Sequence, residues 1–93
     1  MIKSFADSET ERVFRRTFSR RLPQDIQRAA LRRLSYLHAA KDLNDLLVPP
    51  SNRLEQLHGD REGQYSFRIN DQWRVCFTWL GQDAYRVEIV DYH

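Results

Sequence analysis

The chain has 93 residues, 41% of them hydrophobic and 30% charged, which is enough for one hydrophobic core and too apolar for a disordered segment. Its single cysteine, Cys76, excludes an internal disulfide framework and a cysteine-rich zinc site, and suits a reducing, cytoplasmic setting. The net charge of +2 conceals an asymmetry: residues 1–41 carry ten basic and four acidic side chains, whereas residues 42–93 carry five and nine.

The opening residues, Met1-Ile2-Lys3-Ser4-Phe5-Ala6-Asp7, contain no apolar run of signal-peptide length, and no window approaches a membrane span. Apolar alternation over 2–5 predicts a short first strand. Ser8-Glu9-Thr10-Glu11 has the spacing of a capping box, and the spacing predicts a helix over 8–18 with Val13, Phe14, Thr17 and Phe18 as its buried stripe. After the connector Arg20-Arg21-Leu22, Pro23 suits the first turn of a second helix. Ile26, Ala30, Leu34 and Leu37 recur on one helical face to about residue 40, with Arg28 and Arg32 opposite. Asp42 can cap one further turn through Leu46 and Leu47. Val48-Pro49-Pro50-Ser51-Asn52 then ends helical structure.

From Arg53 the period shifts to two. Leu54 and Leu57 flank a short strand ending at Gly59, and 60–63 reads as a loop. Tyr65, Phe67 and Ile69 alternate with Ser66, Arg68 and Asn70. Past a turn at Asn70-Asp71-Gln72, Trp73, Val75, Phe77 and Trp79 alternate with Arg74, Cys76 and Thr78. Beyond Leu80-Gly81-Gln82-Asp83, Tyr85, Val87 and Ile89 alternate with Arg86, Glu88 and Val90. The expected fold is α+β in a single domain over 1–93: an N-terminal strand and two helices packed on a C-terminal antiparallel β-meander.

No phosphate-binding glycine loop, serine-nucleophile turn or metal-ligand spacing is present. Three features remain. Asp91-Tyr92-His93 places an acid, an aromatic and an imidazole together. Strand parity would put Asp91 and His93 on one face, and histidine is suited to proton transfer near neutral pH; a solvated tail is the plain alternative. Arg68 and Arg74 flank one hairpin turn, where two neighbouring cations would be relieved by an anion such as a phosphate, or by Glu88 or Asp91. His58, before Gly59, can face the same cleft. His38 reads as a helix-terminal or partner-facing residue, Cys76 as packed, and Trp73, Phe77 and Trp79 as core. Thirteen of the fifteen basic residues are arginine, which suits a polyanion, nucleic acid first, or an acidic partner protein.

Three ordered blocks carry a resemblance. They are Asn52-Arg53-Leu54-Glu55-Gln56-Leu57-His58-Gly59-Asp60-Arg61-Glu62-Gly63-Gln64-Tyr65-Ser66, Arg68-Ile69-Asn70-Asp71-Gln72-Trp73-Arg74-Val75-Cys76-Phe77, and Val87-Glu88-Ile89-Val90-Asp91-Tyr92-His93. Together they resemble the HigB/GraT-type toxins of bacterial type II toxin–antitoxin pairs, in the RelE/ParE superfamily. The resemblance implies a RelE-like microbial ribonuclease fold and ribosome-dependent cleavage of mRNA in the A site. It implies attack by the ribose 2′-OH on its own 3′-phosphate, with no metal or other cofactor. It also implies a cytoplasmic partnership with a cognate helix-turn-helix antitoxin, whose complex with the toxin binds operator DNA.

Carried over by position, His93 is the proton-transfer group, Asp91 its acid and Tyr92 the nucleotide-stacking aromatic. Arg74 holds the scissile phosphate and Arg68 supports it. His58 stands where many relatives have lysine, and Glu55 where some place a catalytic histidine. Arg61, Arg12, Arg15, Arg16, Arg20, Arg21, Arg28 and Arg32 would face RNA. The alternatives are a catalytically weak nucleic-acid-binding or corepressor module of the same operon, or a protein-interaction module.

Overall fold

A computed structural model describes residues 1–91. Two helices, α1 (Ser8–Phe14) and α2 (Gln24–Ala39), precede four strands, β1 (Glu55–Gln56), β2 (Gln64–Arg68), β3 (Trp73–Leu80) and β4 (Asp83–Asp91). The strands form one antiparallel sheet in chain order. Short 3₁₀ turns at Leu43–Leu47, Pro50–Asn52 and Gly59–Arg61 fill the connections, the first capped by Asp42 as its sequence suggests.

The helices cover one face of the sheet. Ile26, Ala30, Leu34 and Leu37, the predicted stripe of α2, are all buried. They join Phe67, Val75, Phe77, Val87 and Ile89 in one core. Burying a large apolar side chain of this kind contributes roughly 1.5–3 kcal/mol, so the α2 stripe and the sheet residues it joins stabilise the fold together. Trp73 and Trp79 pack at its margin. Pro23 precedes α2 as its N-cap residue rather than opening its first turn.

Helix α1 departs from expectation at both ends. Its cap is Asp7, whose Oδ1 accepts from Thr10 N at 2.7 Å, not Ser8. It stops at Phe14, four residues early. Arg16 takes a left-handed conformation (φ 64°), its N–H donates to Val13 O, and Thr17 N donates to Arg12 O at 2.8 Å. This is a Schellman closure with arginine where glycine is usual. Thr17 and Phe18 therefore leave the predicted stripe; Phe18 is 55% exposed.

The expected N-terminal strand is absent. Instead Ile2 and Phe5 make isolated parallel bridges to Ala84 and Val87 of β4. Lys3 N donates to Ala84 O at 2.8 Å and Ala6 N to Val87 O at 2.9 Å. A continuous ladder is broken by a bulge in β4, where Arg86 has φ 54° and the β3–β4 register shifts between Cys76 and Thr78. The bulge also changes the phase of β4. Ala84, not Tyr85, joins Val87 and Ile89 in the core, while Tyr85 pairs with Thr78.

Farther along, Ile89 N donates to Thr10 Oγ1 at 3.0 Å, and that hydroxyl donates to Asp7 Oδ2 at 3.1 Å. Helix α1 is thereby hooked to the outer edge of β4, and these contacts occupy backbone groups that an exposed edge strand would offer to another chain. His38 turns inward rather than toward a partner. Its Nδ1 accepts from Ile2 N at 3.1 Å, and its ring lies 5.2 Å from that of Phe14.

Candidate active site

The sheet face away from the helices carries the chemistry. The register pairs Ser66 with Cys76 and Cys76 with Glu88, and sets Arg68 directly opposite Arg74. This face is partly covered: Ser66, Arg74 and Cys76 are all buried, Cys76 as its sequence context suggests. Burial pushes the Cys76 thiol above its ordinary pKa, with Glu88 acting in the same sense and Arg61 and Arg74 opposing. Cys76 is a packed thiol, not a nucleophile.

Arg74 is a buried cation, 8% exposed. Such a charge persists only where its donors find acceptors. Nε donates to Ser66 Oγ at 2.9 Å; Nη2 donates to Ser66 O at 3.2 Å and to Arg53 O at 2.5 Å. The Glu55 carboxylate lies 3.9 Å from Nη2. The Arg53 carbonyl is aimed by an uncommon backbone, φ 48° and ψ 56°, left-handed for a bulky side chain.

The preceding residue anchors that turn. Asn52, fully buried, accepts from Arg33 Nη1 and donates to the carbonyls of Leu46 and Val48 at 3.3 Å each. Arg68 pairs with Asp71, an exposed partner that an incoming anion can displace at small cost. Asn70 shapes the hairpin between these arginines, its Oδ1 accepting from Gln72 N at 2.9 Å and Trp73 N at 2.8 Å.

These side chains enclose a polar cavity of about 230 Å³ lined by Arg53, Glu55, Arg68, Asn70, Asp71 and Arg74. Three guanidinium groups face two carboxylates, a balance that favours an anion, and arginine is matched to the two-pronged recognition of phosphate. The sequence pattern points to Arg68 and Arg74. It misses Arg53, whose signal was only its place after Pro49-Pro50-Ser51-Asn52.

The other expected site residues are spread more widely. His58 is exposed at the head of the turn Gly59–Arg61 and is not among the cavity's lining residues. Arg61 Nη1 donates to Gln64 Oε1 and Glu88 Oε1 at 3.1 and 3.2 Å. Asp91 pairs with Trp73, one position past the Val90–Arg74 pair, so the pleat directs it away from the arginine face. Gln72 Nε2 donates to its carboxylate at 3.1 Å. Tyr92 and His93 lie outside the described residues. In the helical half and its connector, Arg12 and Arg15 pair with Glu9 and Glu11, and Arg16, Arg20, Arg21, Arg28 and Arg32 are exposed.

Residues 3–93 match the family described as the RelE-like toxin of the type II toxin–antitoxin system HigB. The chain belongs to this family of HigB-like toxins. It is 38% identical over 81 residues to toxin HigB-1 of Vibrio cholerae, covering 86% of this chain and 85% of that protein. It is 33% identical over 94 residues to endoribonuclease HigB of Proteus vulgaris, covering the full length of both. An uncharacterized protein of Haemophilus influenzae is 32% identical over 64 residues, 69% of this chain and 63% of its own length. In this HigB-like chain, the arginine cavity lies within the first two of the three sequence blocks that carry the resemblance.

Proposed function

We propose that this HigB-like toxin is an endoribonuclease that cuts mRNA in the ribosomal A site and is neutralised by a cognate helix-turn-helix antitoxin in the cytoplasm. The observation that carries this reading is the cross-strand pair of Arg68 and Arg74 lining one polar cavity with Arg53. The full-length likeness to a protein named an endoribonuclease supports the RNA substrate.

In the proposed reaction the ribose 2′-oxygen attacks its adjacent 3′-phosphorus and the bond to the 5′-oxygen of the next nucleotide breaks. The 2′-hydroxyl proton goes to a base, and an acid returns a proton to the departing 5′-oxygen. Arg74 is permanently charged and braced by Ser66 and the Arg53 carbonyl. It is the group proposed to hold the phosphate as negative charge builds on its oxygens. Arg68 exchanges Asp71 for the same phosphate. His93 is proposed for proton transfer and Tyr92 as the stacking aromatic; Asp91, directed away from the arginine face, is proposed to orient His93 and not to contact the phosphate. His58 is a second proton-transfer or phosphate-contact candidate. The exposed arginines of the helical half, with Arg61, meet RNA phosphates.

One observation favours a second reading. Glu55 places a carboxylate beside Arg74, where it competes with a phosphate; a catalytically weak nucleic-acid-binding or corepressor module would tolerate that competition. Mapping mRNA 5′ ends by primer extension in a purified translation system separates the two. New ends that appear with the unmodified protein and vanish with His93→Ala support the nuclease. RNA or operator binding without new ends supports the second reading.

A further inference from the structure

The early close of α1 leaves Phe18 in the connector to α2, 55% exposed. A singly exposed aromatic ring is ordinary on a protein surface, so what marks Phe18 is its surroundings. The connector is not slack. Ser19, the next residue, is fully buried. Its Oγ donates to Glu9 Oε1 at 2.7 Å and accepts from the amides of Arg21 and Leu22 at 3.3 Å. Its amide donates to Gln27 Oε1 at 3.1 Å, and its carbonyl accepts from Gln27 Nε2 at 2.8 Å. The fold thus spends five hydrogen bonds on the residue that fixes where Phe18 stands.

Phe18 is a ridge shared by two depressions. One, of about 310 Å³, has Arg16 and Arg28 on its wall; the other, of about 390 Å³, has Arg12, Arg20 and Arg21. Glu9 is the one acid lining either, and it already takes Arg12 and Ser19. Among the described residues no side-chain hydrogen bond or ion pair engages Arg16, Arg20, Arg21 or Arg28. Like charges gathered without counter-ions around an exposed aromatic form a surface whose complement is a polyanion with flat apolar faces. An acidic protein helix would need apolar footholds on both sides of the ridge. The second depression offers none besides Phe18 itself.

We infer that Phe18 is a stacking platform for an unpaired base of a structured RNA, with the phosphates on either side of that base seated on the arginines of the two depressions. The inference rests on the reading of the protein as a toxin that works on the ribosome, and it adds a docking site distinct from the phosphate cavity on the sheet. Arginine planes beside the ring add to the stacking. Because the backbone next to the ring is already anchored through Ser19, less ordering of the connector falls on binding.

The test is equilibrium binding to purified small ribosomal subunits over a range of salt concentrations, with thermal unfolding run in parallel to verify folding. Phe18→Ala is expected to weaken binding about tenfold or more, while Phe18→Trp retains it. Arg20→Ala with Arg21→Ala is expected to flatten the salt dependence by about two released counterions. Unchanged binding by folded Phe18→Ala, or no binding by the unmodified protein, overturns the inference. So does a loss confined to the complex with the antitoxin, which would assign the ridge to a protein partner. Cleavage of translated mRNA by the unmodified protein is scored separately. It can persist when the docking site fails, so failure here is distinguishable from failure of the nuclease reading.

Discussion

Replacing Ser66 by alanine removes one oxygen from the site yet is expected to disturb both stability and chemistry. Ser66 Oγ accepts from Arg74 Nε at 2.9 Å, with both residues buried. A hydrogen bond to a charged group contributes about 1.5–3 kcal/mol, and no water can readily replace an acceptor that is fully enclosed. For a domain of this size each kcal/mol moves the midpoint by roughly 4–8 °C, so Ser66→Ala should lower Tm by about 6–24 °C. Urea unfolding should show a lower midpoint with an unchanged slope, the sign of a stability change without a change in compactness.

The cause can be isolated with a double-mutant cycle. In an Arg74→Met background the charge is gone, and Ser66→Ala should cost less by about 1 kcal/mol or more. Equal costs in both backgrounds would refute the reasoning, because the serine would then act through packing and not through the guanidinium. Arg74 in Ser66→Ala keeps its contacts to Ser66 O and Arg53 O. The variant should therefore fold and bind RNA with cleavage slowed rather than abolished.

Other perturbations probe the rest of the molecule. His38→Ala deletes the acceptor for Ile2 N and the ring beside Phe14. It should cost about 1–2 kcal/mol and speed hydrogen exchange at the amides of Ile2, Ala84 and Val87, while exchange at core amides such as Phe77 follows only the global loss. Thr10→Val leaves the Ile89 amide without its acceptor and should destabilise by about 1–3 kcal/mol, measured by urea unfolding. Burial raises the Cys76 thiol above the ordinary value of 9.0. The folded state therefore holds this proton more tightly than the unfolded chain. Its contribution is fully present below the unfolded value and is lost as pH rises through the folded one. Cys76→Ala should remove that part of the alkaline decline, as read from unfolding midpoints on either side of pH 9.

Much of the layout is legible before any coordinates because local periods and long-range packing agree. The apolar stripe of α2, Ile26 to Leu37, spans about three turns and meets nothing that contradicts it. The β2–β3 hairpin has period-two runs on both sides of an Asx turn at Asn70, so the pairing of Arg68 with Arg74 follows from chain geometry. The features that stay hidden lack such local marks. Helix α1 ends on Arg16 in a left-handed conformation, and an arginine there looks no different from one in mid-helix. That single residue turns Phe18 from expected core into exposed ridge. The N-terminal segment lies against β4 through contacts some eighty residues apart in sequence, and the Arg86 bulge breaks the alternation that would have revealed it. Arg53 joins the cavity through a backbone twist, and its contribution to bracing Arg74 is a carbonyl, which no side-chain pattern records.

The most direct measurement is the rate of mRNA cleavage in a purified translation system by Arg68→Ala and Arg74→Lys, each shown to be folded. Paired guanidinium groups on one phosphodiester predict a fall of about a hundredfold or more for each, at unchanged cut positions. Cleavage at the unmodified rate by both variants would contradict a phosphate held between β2 and β3.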